Sequence, residues 1–193
     1  MPANSEATHG EIIIPTEHIL PTVERMALEL ATEYGASEQD PLFVPILEGG
    51  RQFGNDLQQA MADLGFTPEF APIGVKTYEE TAGARKPRVV VPLPDGVDFN
   101  GRIVHPIDEI HDTGDTHQFL QDYFMPEQGL YKARSVKYIA FMSRVLGIPK
   151  LQPDYVGHTL FIPDWVVGYG ADDNGYGRNL PYVAISKSQP GKP

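Results

Sequence analysis

The chain has 193 residues, 41% of them hydrophobic, and a formal charge of −11. That length predicts one domain with a core of ordinary size, and the excess of acid argues against nucleic-acid or anionic-membrane partners, which need a basic face. The absence of cysteine excludes disulfides and thiolate metal sites, and no apolar run nears the roughly 20 residues that cross a bilayer.

Residues 1–10 are polar and lack the basic-then-apolar order of a secretory signal, so they are expected to be a flexible tail on a cytoplasmic protein. Residues 11–186 are expected to form the single domain, and 187–193 a second tail. In residues 18–34 the apolar side chains Ile19, Val23, Met26, Ala27 and Leu30 fall on one helical stripe, with Pro21 in the first turn. Residues 42–47 form an apolar run of strand length. A second helical stripe carries Phe53, Leu57, Ala60, Met61 and Leu64. Strands are expected at 73–78 and 89–92. The polar stretch between them, with Gly83 and the prolines that follow, reads as either a mobile lid over about 76–95 or an exposed hairpin. A strand at 103–107 leads to an acidic loop and a helix carrying Phe119, Leu120, Tyr123 and Phe124. Strands at 135–141, 154–156, 165–168 and 182–185 complete the pattern. This alternation predicts an α/β fold with a mostly parallel, twisted sheet flanked by helices. Ligands of such sheets bind beyond the carboxyl ends of the strands, where both glycine-bearing loops fall.

The segment Asp108-Glu109-Ile110-His111-Asp112-Thr113-Gly114-Asp115-Thr116 carries the most chemistry. Gly114 permits a tight turn with positive φ. The N–H groups of Thr113 to Thr116 and the Thr116 hydroxyl can face a phosphate, and the paired acids can accept bonds from sugar hydroxyls. On these residues alone a capped helix start with solvated acids is the alternative. The six histidines form no metal-ligand spacing, and His111 is the one to watch, as a pH-sensitive contact near a bound base.

The same segment resembles the 5-phosphoribosyl-1-pyrophosphate motif of the type I phosphoribosyltransferases, and three further segments are similar to the hypoxanthine(-guanine) branch. Leu47-Glu48-Gly49-Gly50 sits where that branch has its pyrophosphate loop, and Lys76-Thr77-Tyr78 where its lid begins. Residues 153–157, then Ile162-Pro163-Asp164-Trp165-Val166-Val167-Gly168-Tyr169-Gly170, Asp172, Tyr176 and Arg178-Asn179-Leu180, resemble its base-binding region. The resemblance implies the type I phosphoribosyltransferase fold, with a small hood built from the terminal segments and the base-binding hood over about 153–186. It implies transfer of a 5-phosphoribosyl group to a purine base, hypoxanthine, guanine or xanthine, giving nucleoside 5-monophosphate and pyrophosphate in purine salvage. It further implies a Mg²⁺ cofactor and a homodimer or homotetramer. A different base or acceptor on the same scaffold, and a non-catalytic nucleotide-binding regulator, stay open as alternatives.

Residue by residue, the resemblance makes Asp112 the catalytic base for the proton on the purine imidazole nitrogen. Asp108 and Glu109 hold the ribose hydroxyls and, with Asp172, the metal. Thr113, Gly114, Asp115 and Thr116 hold the 5-phosphate, and Glu48, Gly49 and Arg178 the pyrophosphate. Ile110 and Trp165 contact the base, Val166 meets its edge, and Arg144 reads its exocyclic oxygen, unless Ser143 stands there instead. Thr77 and Tyr78 belong to the lid. Four departures from the pattern stand out. Glu48 replaces a usual cation on a loop whose contacts are largely through a backbone with a cis peptide, and Arg51 can compensate. Asp115 adds a carboxylate to the phosphate loop, the acid pair is Asp-Glu rather than Glu-Asp, and His105-Pro106 is expected to interrupt the strand beneath.

Overall fold

In the computed structural model, which describes residues 9–37, 39–79, 85–128, 132–145 and 151–187, β1 (His9–Ile14) leads into α1 (Thr16–Tyr34), β2 (Pro41–Leu47) and α2 (Arg51–Asp63). Then come β3 (Glu69–Phe70), β4 (Ile73–Glu79), β5 (Arg85–Val91), β6 (Ile103–His111) and α3 (Asp115–Phe124). β7 (Ser135–Val136), β8 (Ile139–Arg144), β9 (Tyr155–Leu160), β10 (Val166–Val167) and β11 (Val183–Ser186) follow. The main sheet has the order β5-β4-β2-β6-β8-β9, with β3 beside β2 and β7 beside β6. Its pairings are parallel except that of β4 with β5. A separate antiparallel sheet, β1-β11-β10, ties the two ends of the chain into a hood. The expected α/β architecture is therefore present.

Strand alternation sorts the core into two layers. Phe43, Ile103, Ile107, Ile139 and Phe141 face α1 and α2, which contribute Val23, Met26, Leu30, Phe53, Leu57 and Met61. Leu42, Val44, Ile46, Val104 and Ala140 face α3, which contributes Leu120 and Phe124. Each of these large side chains contributes roughly 1.5–3 kcal/mol by leaving water.

Several boundaries differ from expectation. β1 begins at His9, inside the expected tail, because His9 pairs with Ser186. α1 starts two residues early, at Thr16, so Pro21 lies in its second turn rather than its first. Residues 135–141 divide into β7 and β8, and 155–160 belong to the main sheet rather than to the hood. The expected strand 89–92 begins at Arg85 and pairs with β4 through Glu79, so most of the described part of the expected lid is a hairpin. Residues 80–84 of that lid lie outside the described residues.

β6 is not interrupted at His105-Pro106; it runs to His111. β6 pairs with β7 at Val104↔Val136 and with β8 from Ile107↔Ile139, so Pro106 falls where one neighbour hands over to the next. A missing N–H costs least at such a break.

His105 fills the space beneath. It is fully buried, stacked on Phe43 with centroids 4.7 Å apart, and its Nδ1–H donates to the Lys137 carbonyl at 3.1 Å. Burial lowers its pKa from 6.5 to about 4, so the folded protein holds it neutral. The stability this carries is fully present above the unfolded pKa of 6.5 and is lost as pH falls from there to about 4. The loss should reach about 3 kcal/mol. Urea titrations of His105→Phe between pH 7 and pH 4 should show a correspondingly shallower fall; an unchanged slope would remove His105 from the acid response.

Candidate active site

Continuation of β6 through His111 decides where the two acids go. Neighbouring residues on a strand point to opposite faces. Asp108 turns toward the α3 layer, where its Oδ2 accepts the Tyr138 hydroxyl at 2.6 Å and its Oδ1 accepts the Glu109 N–H at 3.1 Å. Glu109 turns the other way, toward the loop that enters α2. A side chain at Gly49 would collide with the Glu109 carboxylate, and one at Gly170 with the Gly49 carbonyl. Those two glycines let the α2 loop, β6 and the hood meet at Glu109. Burial first, then the Asp108 charge, raises the Glu109 pKa well above 4.5 and favours its protonated form. Burial likewise pushes the Tyr138 hydroxyl well above its usual value. The two side chains leave the strand toward different elements, yet their carboxylates stay close enough to interact directly, which adds to the rise at Glu109.

Past His111 the chain turns at Gly114, whose φ of 83° favours glycine, and α3 begins. The first-turn N–H groups have no partner within the helix. Thr113 Oγ–H donates to Asp115 Oδ2 at 2.8 Å, which folds the added carboxylate back on its own loop. A cavity of about 80 Å³ lies here, lined by Asp108, Ile110, residues 111–117 and Tyr138. His111 and His117 are both buried against Tyr138, with ring centroids at 5.5 and 4.4 Å. Burial lowers both imidazole pKa values, that of His117 to about 4, so both are neutral at pH 7. His111 thus packs against Tyr138 and His117 beneath the loop that enters α3.

A second cavity of about 90 Å³ opens between Glu109, Ile110, Arg144, Trp165, Val166, Ala171 and Asp172. Arg144, 5% exposed, donates to Asp112 Oδ2 at 3.0 Å and to the Asp164 carbonyl at 2.9 Å, and lies 6.0 Å from the Trp165 ring centre. Its Nε is buried without a partner. Ser143, also buried, is not among the lining residues. Trp165 is held by its Nε1–H to the Asp172 carbonyl at 3.0 Å. Arg178 donates to the Gly170 carbonyl at 2.6 Å and pairs with Asp172, whose other oxygen accepts the Gly175 N–H at 2.6 Å. The Leu47–Glu48 peptide is cis, as the resemblance implied, and Glu48 pairs with Arg51 at 2.6 Å. Thr77 and Tyr78 lie in β4, opposite Pro87 and Lys86.

Tyr138 and His117 join this region without a sequence signal. Each is brought in by packing between elements far apart in the chain. A larger groove of about 650 Å³ between α1 and α2, lined by Leu20, Leu28 and Leu64 among others, contains none of the candidate residues. No helix among the described residues is long and apolar enough to cross a membrane.

No family model matches the chain. It is 30% identical over 191 residues to the bifunctional protein TilS/HprT of Listeria monocytogenes, covering 96% of this chain and 28% of that protein. The chain therefore spans just over a quarter of the length of that relative. It is 29% identical over 180 residues to the hypoxanthine-guanine phosphoribosyltransferase of Bacillus subtilis, covering 92% of this chain and 93% of the relative. Among solved structures, a hypoxanthine phosphoribosyltransferase from Staphylococcus aureus superposes with a TM-score of 0.79 at 22% identity, covering 97% of this chain and 96% of that one. The Trypanosoma cruzi hypoxanthine phosphoribosyltransferase complexed with the product IMP gives 0.79 at 23% identity, covering 96% and 95%.

Proposed function

The chain has the type I phosphoribosyltransferase fold and is related in sequence to the hypoxanthine-guanine enzymes; from that premise we propose that it transfers the 5-phosphoribosyl group of 5-phosphoribosyl-1-pyrophosphate to a 6-oxopurine. The observation that carries this reading is the adjacency of the two cavities. One is rimmed by helix-end N–H groups, the other by an arginine and an aromatic ring, and Ile110 lines both. A nucleoside 5-monophosphate has its phosphate and its base separated by one sugar, and adjacent sites suit it.

In this reading the 5-phosphate takes the amides of Thr113, Gly114, Asp115 and Thr116. The purine lies on Trp165, with Ile110 beneath, Val166 at its edge and Arg144 on its 6-oxygen. Asp112 then sits beside the imidazole half of the base. The glycosidic bond forms as the bond from ribose C1 to pyrophosphate breaks, and the leaving electron pair goes to pyrophosphate. The imidazole proton passes to Asp112. Arg178 and the backbone of Glu48 and Gly49 face the leaving group. Closure of the β4–β5 hairpin, with Thr77 and Tyr78 toward its turn end, would exclude water from the activated sugar.

The donor atoms fit a magnesium ion held chiefly by the substrate. No group of three or more acidic or histidine ligands gathers among the described residues. Asp172 keeps a lone pair on each oxygen beside its bonds to Arg178 and Gly175. Asp172 is therefore the residue that would hold it, and Glu109, lining the same cavity, could join it on losing its proton. When bound, Mg²⁺ supplies charge compensation to the departing pyrophosphate. Assembly as a homodimer or homotetramer rests on the family resemblance alone.

Initial rates with labelled donor, Mg²⁺ and a panel of bases test the reading. Nucleotide should form with hypoxanthine or guanine, more slowly with adenine, and chelating the metal should cut the rate sharply. Turnover with a pyrimidine only would mean a different acceptor; none with any base would leave a nucleotide-binding protein without this activity.

A further inference from the structure

The phosphate cradle has an unusual charge inventory. Its lining comprises Asp108, Ile110, His111, Asp112, Thr113, Gly114, Asp115, Thr116, His117 and Tyr138. Among the described residues, three carboxylates line it and no lysine or arginine does. A phosphate monoester brings two negative charges at neutral pH, and its oxygens must find donors there. Backbone N–H groups and the Thr116 hydroxyl supply some. Among the described residues, the side-chain nitrogens lining the cavity are those of His111 and His117.

The orientation of these two rings follows from their bonds. His111 Nε2 and His117 Nδ1 share one hydrogen bond at 3.4 Å, so one donates and the other accepts. His111 Nδ1 is buried without a partner. A buried donor with no acceptor costs more than a buried acceptor with no donor. His111 therefore carries its proton on Nε2 and donates it to His117 Nδ1. That leaves the His117 proton on Nε2, an atom absent from the buried unpartnered set. The His117 ring is clamped in place by stacking on Tyr138, with planes 23° apart, and Tyr138 is held in turn by its bond to Asp108.

We infer that His117 donates its Nε2–H to a 5-phosphate oxygen, with His111 behind it as the positioning residue that selects the donating tautomer. This inference rests on the proposed nucleotide reading of the same cavity and adds a contact that the loop residues do not supply. The groups facing the pair are Asp108 from β6, Asp112 and Asp115 from the loop and α3, and Tyr138 from the link between β7 and β8. Among the described residues, the side-chain nitrogens offered to the phosphate are therefore those of neutral imidazoles.

Calorimetric titration of the full chain with inosine 5-monophosphate and with inosine separates phosphate recognition from base and sugar recognition. His117→Phe keeps the stacking on Tyr138 and removes the donor; it should weaken the monophosphate about tenfold and leave inosine unchanged. His117→Gln restores an N–H and should recover most of the loss. His111→Leu removes tautomer control and should fall between them. Equal weakening of both ligands in His117→Phe, or no weakening of either, would overturn the inference. A native protein that binds inosine as tightly as the monophosphate would overturn the cradle reading itself, and His117 with it.

Discussion

Replacing Arg144 by leucine is expected to raise KM for the 6-oxopurine roughly 10- to 100-fold while KM for the phosphoribosyl donor stays within about threefold. The side chain is buried, yet it spends only two of its nitrogens, on Asp112 and on the Asp164 carbonyl, and keeps a buried Nε with no partner. An arginine in that state has donors to offer a carbonyl oxygen arriving in the cavity it lines. Charge-assisted bonds in such a site contribute about 1.5–3 kcal/mol each. Leucine fills the stem volume and abolishes them. Ser143→Ala is the matched control, because Ser143 is equally buried but does not line that cavity. Steady-state kinetics on both variants decide the matter. Should Ser143→Ala carry the loss and Arg144→Leu be silent, the reading oxygen contact belongs to Ser143.

Much of this fold was legible because its helices and strands bury one face each. The stripe from Ile19 to Leu30 and the runs at β2, β4 and β6 are periodic, and periodicity survives without knowledge of the partner element. What the sequence does not carry is where a strand stops once polar residues begin. The acids after Ile107 look like the start of a loop, but β8 continues to pair β6 as far as His111. That extra length starts Asp108 and Glu109 toward different elements while their carboxylates still interact, an arrangement the run of acids does not announce. Pro106 misled in the same way, since its cost depends on a break between β7 and β8 that only the register reveals. The turn at Gly114 was readable from its glycine, and its φ of 83° agrees. Arg144 could be named but not chosen over Ser143, because one residue of alignment reverses the face on a strand. Tyr138 and His117 meet across β6 and α3, and no local pattern announces such a contact.

Whether residues 108–116 form the centre of phosphoribosyl transfer is tested most directly by Asp112→Asn. Asp112 lies within the loop, partly exposed toward the site, and its Oδ2 is held by Arg144 at 3.0 Å. Asparagine keeps an oxygen for that bond, so the base pocket and the loop should keep their shape. It cannot take a proton, so the purine must lose its imidazole hydrogen to water. General-base catalysis of this kind contributes about 100- to 10,000-fold. The variant should therefore lose at least about 100-fold in kcat. Its Kd for inosine 5-monophosphate, measured on the same preparation, should stay within about threefold of the native value. Unchanged turnover would contradict the assignment of Asp112 and with it the location of the chemistry.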